Sequence, residues 1–178
     1  AADAKFAAEG EPCNECLRCA EIDHGNAMDV VELDAASNRG IEDIKELRDG
    51  ARVLPFDSKY KVYIIDEVHM LSKTAMNALL KILEEPPEHL VFLLATTNPE
   101  KLLPTVLSRL TKLALTSHTL VDIVNRLDYI AKEEKMIIDQ PSLELIAKRS
   151  NGGQRDAINT LETLYSYNLE KYTIKETS

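Results

Sequence analysis

Hydrophobic positions along this chain change their rhythm part-way through. Val62 to Ile65 form a continuous apolar run inside KVYIIDE, Lys61 to Glu67, and Val91 to Ala95 (VFLLA) form a second. Such runs predict strands covered on both faces, as in a parallel sheet. Met28 to Leu33 (MDVVEL) predicts a shorter strand ahead of them, and KLALT, Lys112 to Thr116, alternates as a last one. Between the strands the period is helical. Ile41, Ile44 and Leu47 share one face of a helix after the turn-like DAASNRG, and Leu71, Ala75, Leu79, Leu80 and Leu83 recur until Pro86-Pro87 forbid continuation. Ser72 is placed to cap that second helix, Pro55 and Asp57-Ser58 break the chain before the central strand, and LPTVLSRL predicts a short helix bearing Ser108-Arg109. Strands alternating with helices through ordinary loops predict a doubly wound α/β core.

From His118 onward only the helical period remains: Leu120 to Lys135 with Ile123, Leu127 and Ile130, Pro141 to Lys148 with Leu143, Leu145 and Ile146, and Arg155 to Tyr165 with Ile158, Leu161 and Leu164. This predicts a second, all-helical domain, dividing the chain into residues 1–117 and 118–178. Asn151-Gly152-Gly153 is a tight break that delivers Arg155 to the first turn of the last helix, where the helix dipole disfavours a cation. Such an Arg either meets an external anion or answers Asp156.

Composition narrows the class. The 178 residues, 44% of them hydrophobic, can bury the core of one domain with a small appendage. No apolar run approaches the roughly 20 residues a spanning helix needs, and no leader pattern is seen, so the expectation is a cytoplasmic protein without a membrane partner. A formal charge of -9 excludes a uniformly basic, DNA-coating surface but leaves room for a local patch. Arg39, Lys45, Arg48 and Arg52 are the densest basic cluster of the first half; interleaved with Glu42, Asp43 and Glu46, they also suit a solvated helix face.

Chemistry gathers in two places. In open α/β sheets ligands collect beyond the carboxyl ends of the strands. One predicted strand ends in Asp66-Glu67 and the next in Thr96-Thr97-Asn98. A carboxylate at such a mouth orients magnesium through water, and a neighbouring Glu polarises an attacking water. A strand running into a capped helix is the plainer alternative. The second place is EPCNECLRC, whose C-x2-C-x2-C spacing brings Cys13, Cys16 and Cys19 close enough to share one tetrahedral zinc. A closed site needs a fourth ligand; His24 is the only nearby candidate, and otherwise these are three reduced thiols on a small helical knob.

DVVELDAASNRGIEDIKELRD, the long stretch from KVYIIDEVHML to LLPTVLSRL, and NGGQRDAINTLE resemble the gamma/tau clamp-loader subunits of the bacterial replicative polymerase, ATPases of the AAA+ class. The similarity covers nearly the whole chain. It implies an AAA+ P-loop-type core of parallel sheet and flanking helices, a zinc-knob insertion at residues 10–25, and an all-helical lid. By that resemblance ATP, Mg2+ and Zn2+ are the cofactors, Asp66 and Glu67 are the Walker B pair, Thr97 or Thr96 is the sensor of water and γ-phosphate, and Arg155 is the lid sensor. Arg109 is the finger offered to the neighbouring subunit's ATP, and Arg39 and Lys45 track the backbone of primed-template DNA. The implied partners are the other subunits of a hetero-oligomeric ring, the sliding clamp and the DNA. The implied activity is ATP hydrolysis that opens the clamp and loads it during replication.

The chain departs from the family pattern at three points. No G-x4-G-K-[ST] occurs, so the phosphate loop and its strand are expected to be missing N-terminally. The family's fourth cysteine, nine residues before Cys13, is Ala4 here, and Leu110 with TKLALTS stands where the family has Cys and an aromatic. A delta-prime-like, non-hydrolysing stator and a structural ring module contributing only Arg109 are the rivals; intact DEVHML and DAASNRG favour the motor. The resemblance puts the missing strand between residues 91–95 and 112–116. Unpaired buried backbone groups at about 1–3 kcal/mol each would outweigh a stability of about 5–15 kcal/mol, so residues 1–178 alone are expected to be aggregated or molten.

Overall fold

Two compact units make up the chain, Ala1–Lys112 and Leu113–Ser178. This computed structural model describes residues 10–37 and 40–166. The first unit runs α1 (Leu17–Asp23), β1 (Val30–Asp34), α2 (Ile41–Ala51), β2 (Lys61–Asp66), α3 (Lys73–Glu84), β3 (Leu90–Leu94) and a short α4 (Pro104–Leu107), with 3-10 turns at Val68–Met70 and Pro99–Lys101.

The three strands make one parallel sheet in the order β1-β2-β3. Its register aligns Val31, Tyr63 and Phe92 in one row and Leu33, Ile65 and Leu94 in another. These rows face a core completed by Ile44 and Leu47 of α2 and by Ala75, Leu79 and Ile82 of α3. Tyr63 and Phe92 meet as tilted rings 5.8 Å apart. Ser72 caps α3 by accepting from the Ala75 N–H, and the helix ends at Glu84 before the proline pair.

The apolar runs predict cover on both faces, but the described residues cover one. Val62, Ile64, Val91 and Leu93 lie outside the core cluster, and Leu93 is 52% exposed. The run records that both faces are apolar; what packs on each is settled by other elements. Nor is Lys112–Thr116 a strand. Residues 111–119 have no regular structure, with Leu113 83% and Leu115 96% exposed. Alternation supplies two faces but no ladder partner, and among the described residues none pairs with this segment.

Two loops are tied by polar side chains. Asp29, 4% exposed, accepts hydrogen bonds from the N–H groups of Phe56, Asp57 and Ser58 at 2.7, 3.1 and 3.0 Å. Helix α2 stops at Ala51 because its last carbonyls find other partners: Lys61 Nζ donates to Gly50 O at 2.9 Å, and His89 Nε2 lies 3.1 Å from Ala51 O. A Cβ at Gly50 would sit 2.8 Å from the Tyr63 hydroxyl, so this helical glycine admits the Tyr63 ring at a propensity cost of about 0.5–1 kcal/mol.

The second unit packs α5 (Leu120–Glu133), α6 (Gln140–Arg149) and α7 (Gln154–Ser166) around Ile123, Leu127, Leu143, Ile146 and Leu161. Thr119 and Asp122 form a reciprocal capping box at the start of α5, and Asp139 caps α6 through the Ser142 N–H. The break before α7 uses left-handed backbone at Asn151 (φ 48°) and Gly152 (φ 85°). No helix of the described residues is long and apolar enough to cross a membrane.

Candidate functional site

Strand β2 ends at Asp66, in register with Asp34 at the end of β1. The next residue, Glu67, adopts φ 47° and ψ 42°, a left-handed conformation that costs a non-glycine residue about 1–2 kcal/mol. The surroundings hold it there. Val68, fully buried, donates its N–H to Ala95 O at 3.0 Å, locking the turn against the end of β3. The turn carries the Glu67 side chain across to the threonines: Thr97 N and Oγ1 donate to Glu67 Oε2 at 3.4 and 3.3 Å. Asp66 remains exposed, its Oδ1 accepting from the Glu67 N–H at 2.9 Å.

His69 completes this cluster, and no motif in the sequence singles it out. Its Nδ1 lies 3.1 Å from Glu67 Oε2 and 2.8 Å from Thr96 Oγ1, with the side chain 7% exposed. The only sequence signal is DEVH, a histidine two positions beyond the glutamate; nothing in that spacing announces a left-handed turn folding the two together. Asn98 extends the network, donating from its N–H to Thr96 Oγ1 at 3.0 Å and from Nδ2 to Glu100 Oε1 at 3.0 Å. Glu100 is held below its ordinary carboxylate value by its own backbone N–H first and by Asn98 next, so the rim stays anionic.

Asp66, Glu67, Thr96 and Thr97 therefore converge at one mouth. The two threonine hydrogen bonds and the histidine contact of Glu67 all fall on Oε2. None of these contacts uses Oε1, and the exposed Asp66 carboxylate is of the chemical kind that suits a hydrated Mg2+.

The other candidates stand elsewhere. Arg109, just past α4, donates from Nη1 to Thr105 O at 2.6 Å and from Nη2 to Glu84 Oε1 at 3.0 Å. Lys45 is exposed on α2, and Arg39 lies outside the described residues. Arg155 is exposed in the first turn of α7 of the second unit and makes no ion pair with Asp156.

Cys13, Cys16 and Cys19 bring their sulphurs within 4.8 Å of one another. Asn14 in left-handed backbone (φ 59°) turns the chain so that the Cys16 N–H donates to Cys13 Sγ at 3.4 Å. The Cys19 N–H, then the Cys13 side chain, lower the Cys16 thiol to about 7. Cys19 moves up: its bond to the Asn14 backbone, the largest influence, lowers it but is outweighed by Cys16, burial and Cys13 together. Cys13 and Cys19 sulphurs are 3.8 Å apart. With Zn–S about 2.3 Å, a tetrahedron has an S···S edge of about 3.8 Å, so the donor set fits zinc.

Residues 3–119 match the family model described as DNA polymerase III, delta subunit, and residues 125–166 match that of the RCF1/5-like AAA+ ATPase lid domain. The chain is 47% identical over 167 residues to Bacillus subtilis DNA polymerase III subunit tau, covering 94% of this chain and 30% of that protein. It is 45% identical over 148 residues to the Escherichia coli tau subunit, covering 83% of this chain and 23% of that protein.

This chain belongs to the gamma/tau family of DNA polymerase III subunits.

Gamma from Buchnera aphidicola subsp. Baizongia pistaciae is 44% identical over 162 residues, 91% of the chain and 44% of that protein. The gamma/tau-family chain thus spans less than half the length of these relatives. Among solved structures, a gamma subunit-related protein of Thermotoga maritima matches with TM-score 0.52 at 30% identity, over 64% of this chain and 41% of that one. The Thermotoga maritima RuvB Holliday junction branch migration motor matches with TM-score 0.58 at 23% identity, over 86% of this chain and 61% of that one, a likeness of fold alone. Parallel sheet, flanking helices and helical lid are those of an AAA+ ATPase-type subunit.

Proposed function

We propose that this gamma/tau-family chain is part of a clamp-loader motor subunit in which ATP binding and hydrolysis within a ring open a sliding clamp and load it on primed DNA in the cytoplasm. In this reading residues 1–117 are the ATPase core and residues 118–178 its lid. Glu67 is the base that polarises the attacking water, Asp66 orients Mg2+ through water, and Thr97 with Thr96 senses the γ-phosphate. Arg155 reaches the nucleotide from the lid, Arg109 serves the neighbouring subunit's ATP, and Arg39 and Lys45 follow the DNA backbone. Zinc, held by the three cysteines, organises the knob.

The observation that carries the reading is the grip of Thr97 and His69 on Glu67 Oε2, at a strained turn directly after the exposed Asp66. Left-handed backbone at a non-glycine residue beside paired carboxylates is a cost that function explains better than packing does. In the full-length protein, Glu67→Gln keeps the shape of the side chain but removes its basicity, so ring hydrolysis is lost while ATP binding persists. Undiminished turnover in that variant rules out Glu67 as the base.

A non-hydrolysing stator is the second reading, favoured by the delta-subunit description of the family model that residues 3–119 match. A ring in which every other subunit is hydrolysis-dead separates the two: a motor still turns over ATP there, and a stator does not.

A further inference from the structure

Two threonines follow β3, and their surroundings differ. Thr97 is exposed and meets Glu67 directly, its Oγ1 and N–H both donating to Oε2. Thr96 is half-buried and reaches the same oxygen through His69: its Oγ1 lies 2.8 Å from His69 Nδ1, which lies 3.1 Å from Glu67 Oε2. These neighbours decide where the ring proton sits. An ionised carboxylate oxygen only accepts, so an Nδ1 that accepted from the Thr96 hydroxyl would set two lone pairs against each other at 3.1 Å. Nδ1 therefore carries the hydrogen and donates it toward Oε2 and Thr96 Oγ1, and Oγ1 also accepts from the Asn98 N–H at 3.0 Å. The backbone on either side is fixed. The Ala95 N–H donates to Ile65 O at 2.9 Å and Ala95 O accepts from the Val68 N–H at 3.0 Å, so the residue before Thr96 is bonded to both flanks of the turn that bears Glu67. With the imidazole side chain 7% exposed, water has little access to compete for Nδ1.

We propose that His69 and Thr96 are a positioning pair for Glu67: Thr96 holds the imidazole, and the imidazole holds Oε2, keeping the carboxylate in the orientation in which it acts on water. Sensing of the γ-phosphate then falls to Thr97. The inference rests on the reading of Glu67 as the base and deepens it by dividing the roles of the two threonines. Neither member of the pair touches the nucleotide, so losing either misorients the base without weakening ATP binding.

Thr96→Val in the full-length ring keeps the shape of the side chain and removes its oxygen. It should lower kcat by up to about 10²-fold, the scale of a misplaced catalytic group, with ATP affinity of the isolated full-length subunit unchanged. Thr96→Ser, which keeps the oxygen, should recover most of the rate. The double variant is decisive. Because the two side chains act in series, Thr96→Val combined with His69→Asn should turn over no more slowly than the slower single variant. Losses that multiply show Thr96 acting independently of His69, and a weakened ATP affinity shows Thr96 touching the nucleotide; either overturns the inference. So does a Thr96→Ser ring as slow as Thr96→Val, or a Thr96→Val ring as fast as wild type. All four outcomes leave Glu67 as the base, whereas undiminished turnover by Glu67→Gln removes that reading and the inference with it.

Discussion

Arg109 Nη2 lies 3.0 Å from Glu84 Oε1, tying the proposed finger to the end of α3 within its own subunit. The Arg109 side chain is 35% exposed and that of Glu84 50%, so the pair is screened by water. Exposed ion pairs of this kind contribute about 0–1 kcal/mol, little enough for a neighbour's phosphate to take the guanidinium away. Arg109→Ala should therefore leave unfolding nearly unchanged and leave ATP binding by the isolated full-length subunit intact, yet lower ring hydrolysis by about 10³-fold or more. Mixing decides whether the finger acts in trans. Rings combining Arg109→Ala with Glu67→Gln subunits should hydrolyse ATP only where an intact Glu67 meets an intact Arg109 from the next chain.

His69 should matter through Glu67 rather than through the fold alone. Replacing it with Asn keeps a polar side chain in a site where the imidazole is 7% exposed but does not reproduce the ring nitrogen that meets both Thr96 and Glu67. The expected result is a fall in kcat with KM for ATP little changed, measured on the full-length ring. An equal loss of binding would make His69 a packing residue instead.

Asp29 links stability to acid. Burial, the largest influence, raises its carboxyl, but the N–H groups of Phe56, Asp57 and Ser58 outweigh it and leave the group below its ordinary value of 3.8. A carboxylate depressed in the folded state stabilises fully above the unfolded value, about 3.9, and loses that contribution as pH falls through its lower folded value. Asp29→Ala should cost about 2–4 kcal/mol at neutral pH, because the charge acceptor shared by three N–H groups is removed. Denaturant titrations at several pH values should show the gap between wild type and variant closing below about pH 4.

Gly152 is the glycine that the helical unit needs. Its φ of 85° disfavours any side chain, and a Cβ there would lie 2.8 Å from Ser117 Cβ. Gly152→Ala should destabilise this unit by about 2 kcal/mol or more, read as faster amide exchange along α5 to α7. Adding Ser117→Gly should recover the part due to crowding and leave the part due to backbone strain.

For Lys45, exposed on α2, the proposed contact is with phosphate and carries no sequence information. Lys45→Ala in the assembled ring should weaken DNA binding equally across sequences and reduce the slope of log K against log salt by about one. A salt slope identical to wild type removes Lys45 from the DNA path.

Local pattern alone determined the alternation of strand and helix, the helical second half, the Ser72 cap and the Asn151-Gly152 break, because each depends on residues a few positions apart. It also placed Asp66, Glu67, Thr96 and Thr97 at strand ends, since a parallel sheet sends consecutive strands to the same edge. Tertiary structure decided the rest. Which sheet face is covered depends on elements distant in sequence, so the runs at Val62–Ile65 and Val91–Ala95 could not say that the described residues cover only one of them. The alternation of KLALT described a strand that has no ladder partner among the described residues. His69 joins the site only because Glu67 takes a left-handed turn, and that turn is held by a buried Val68 bonded to Ala95, just past the end of β3. Arg109 sits on Glu84, 25 positions away, a pairing invisible to spacing because surface charges find partners through three-dimensional proximity alone.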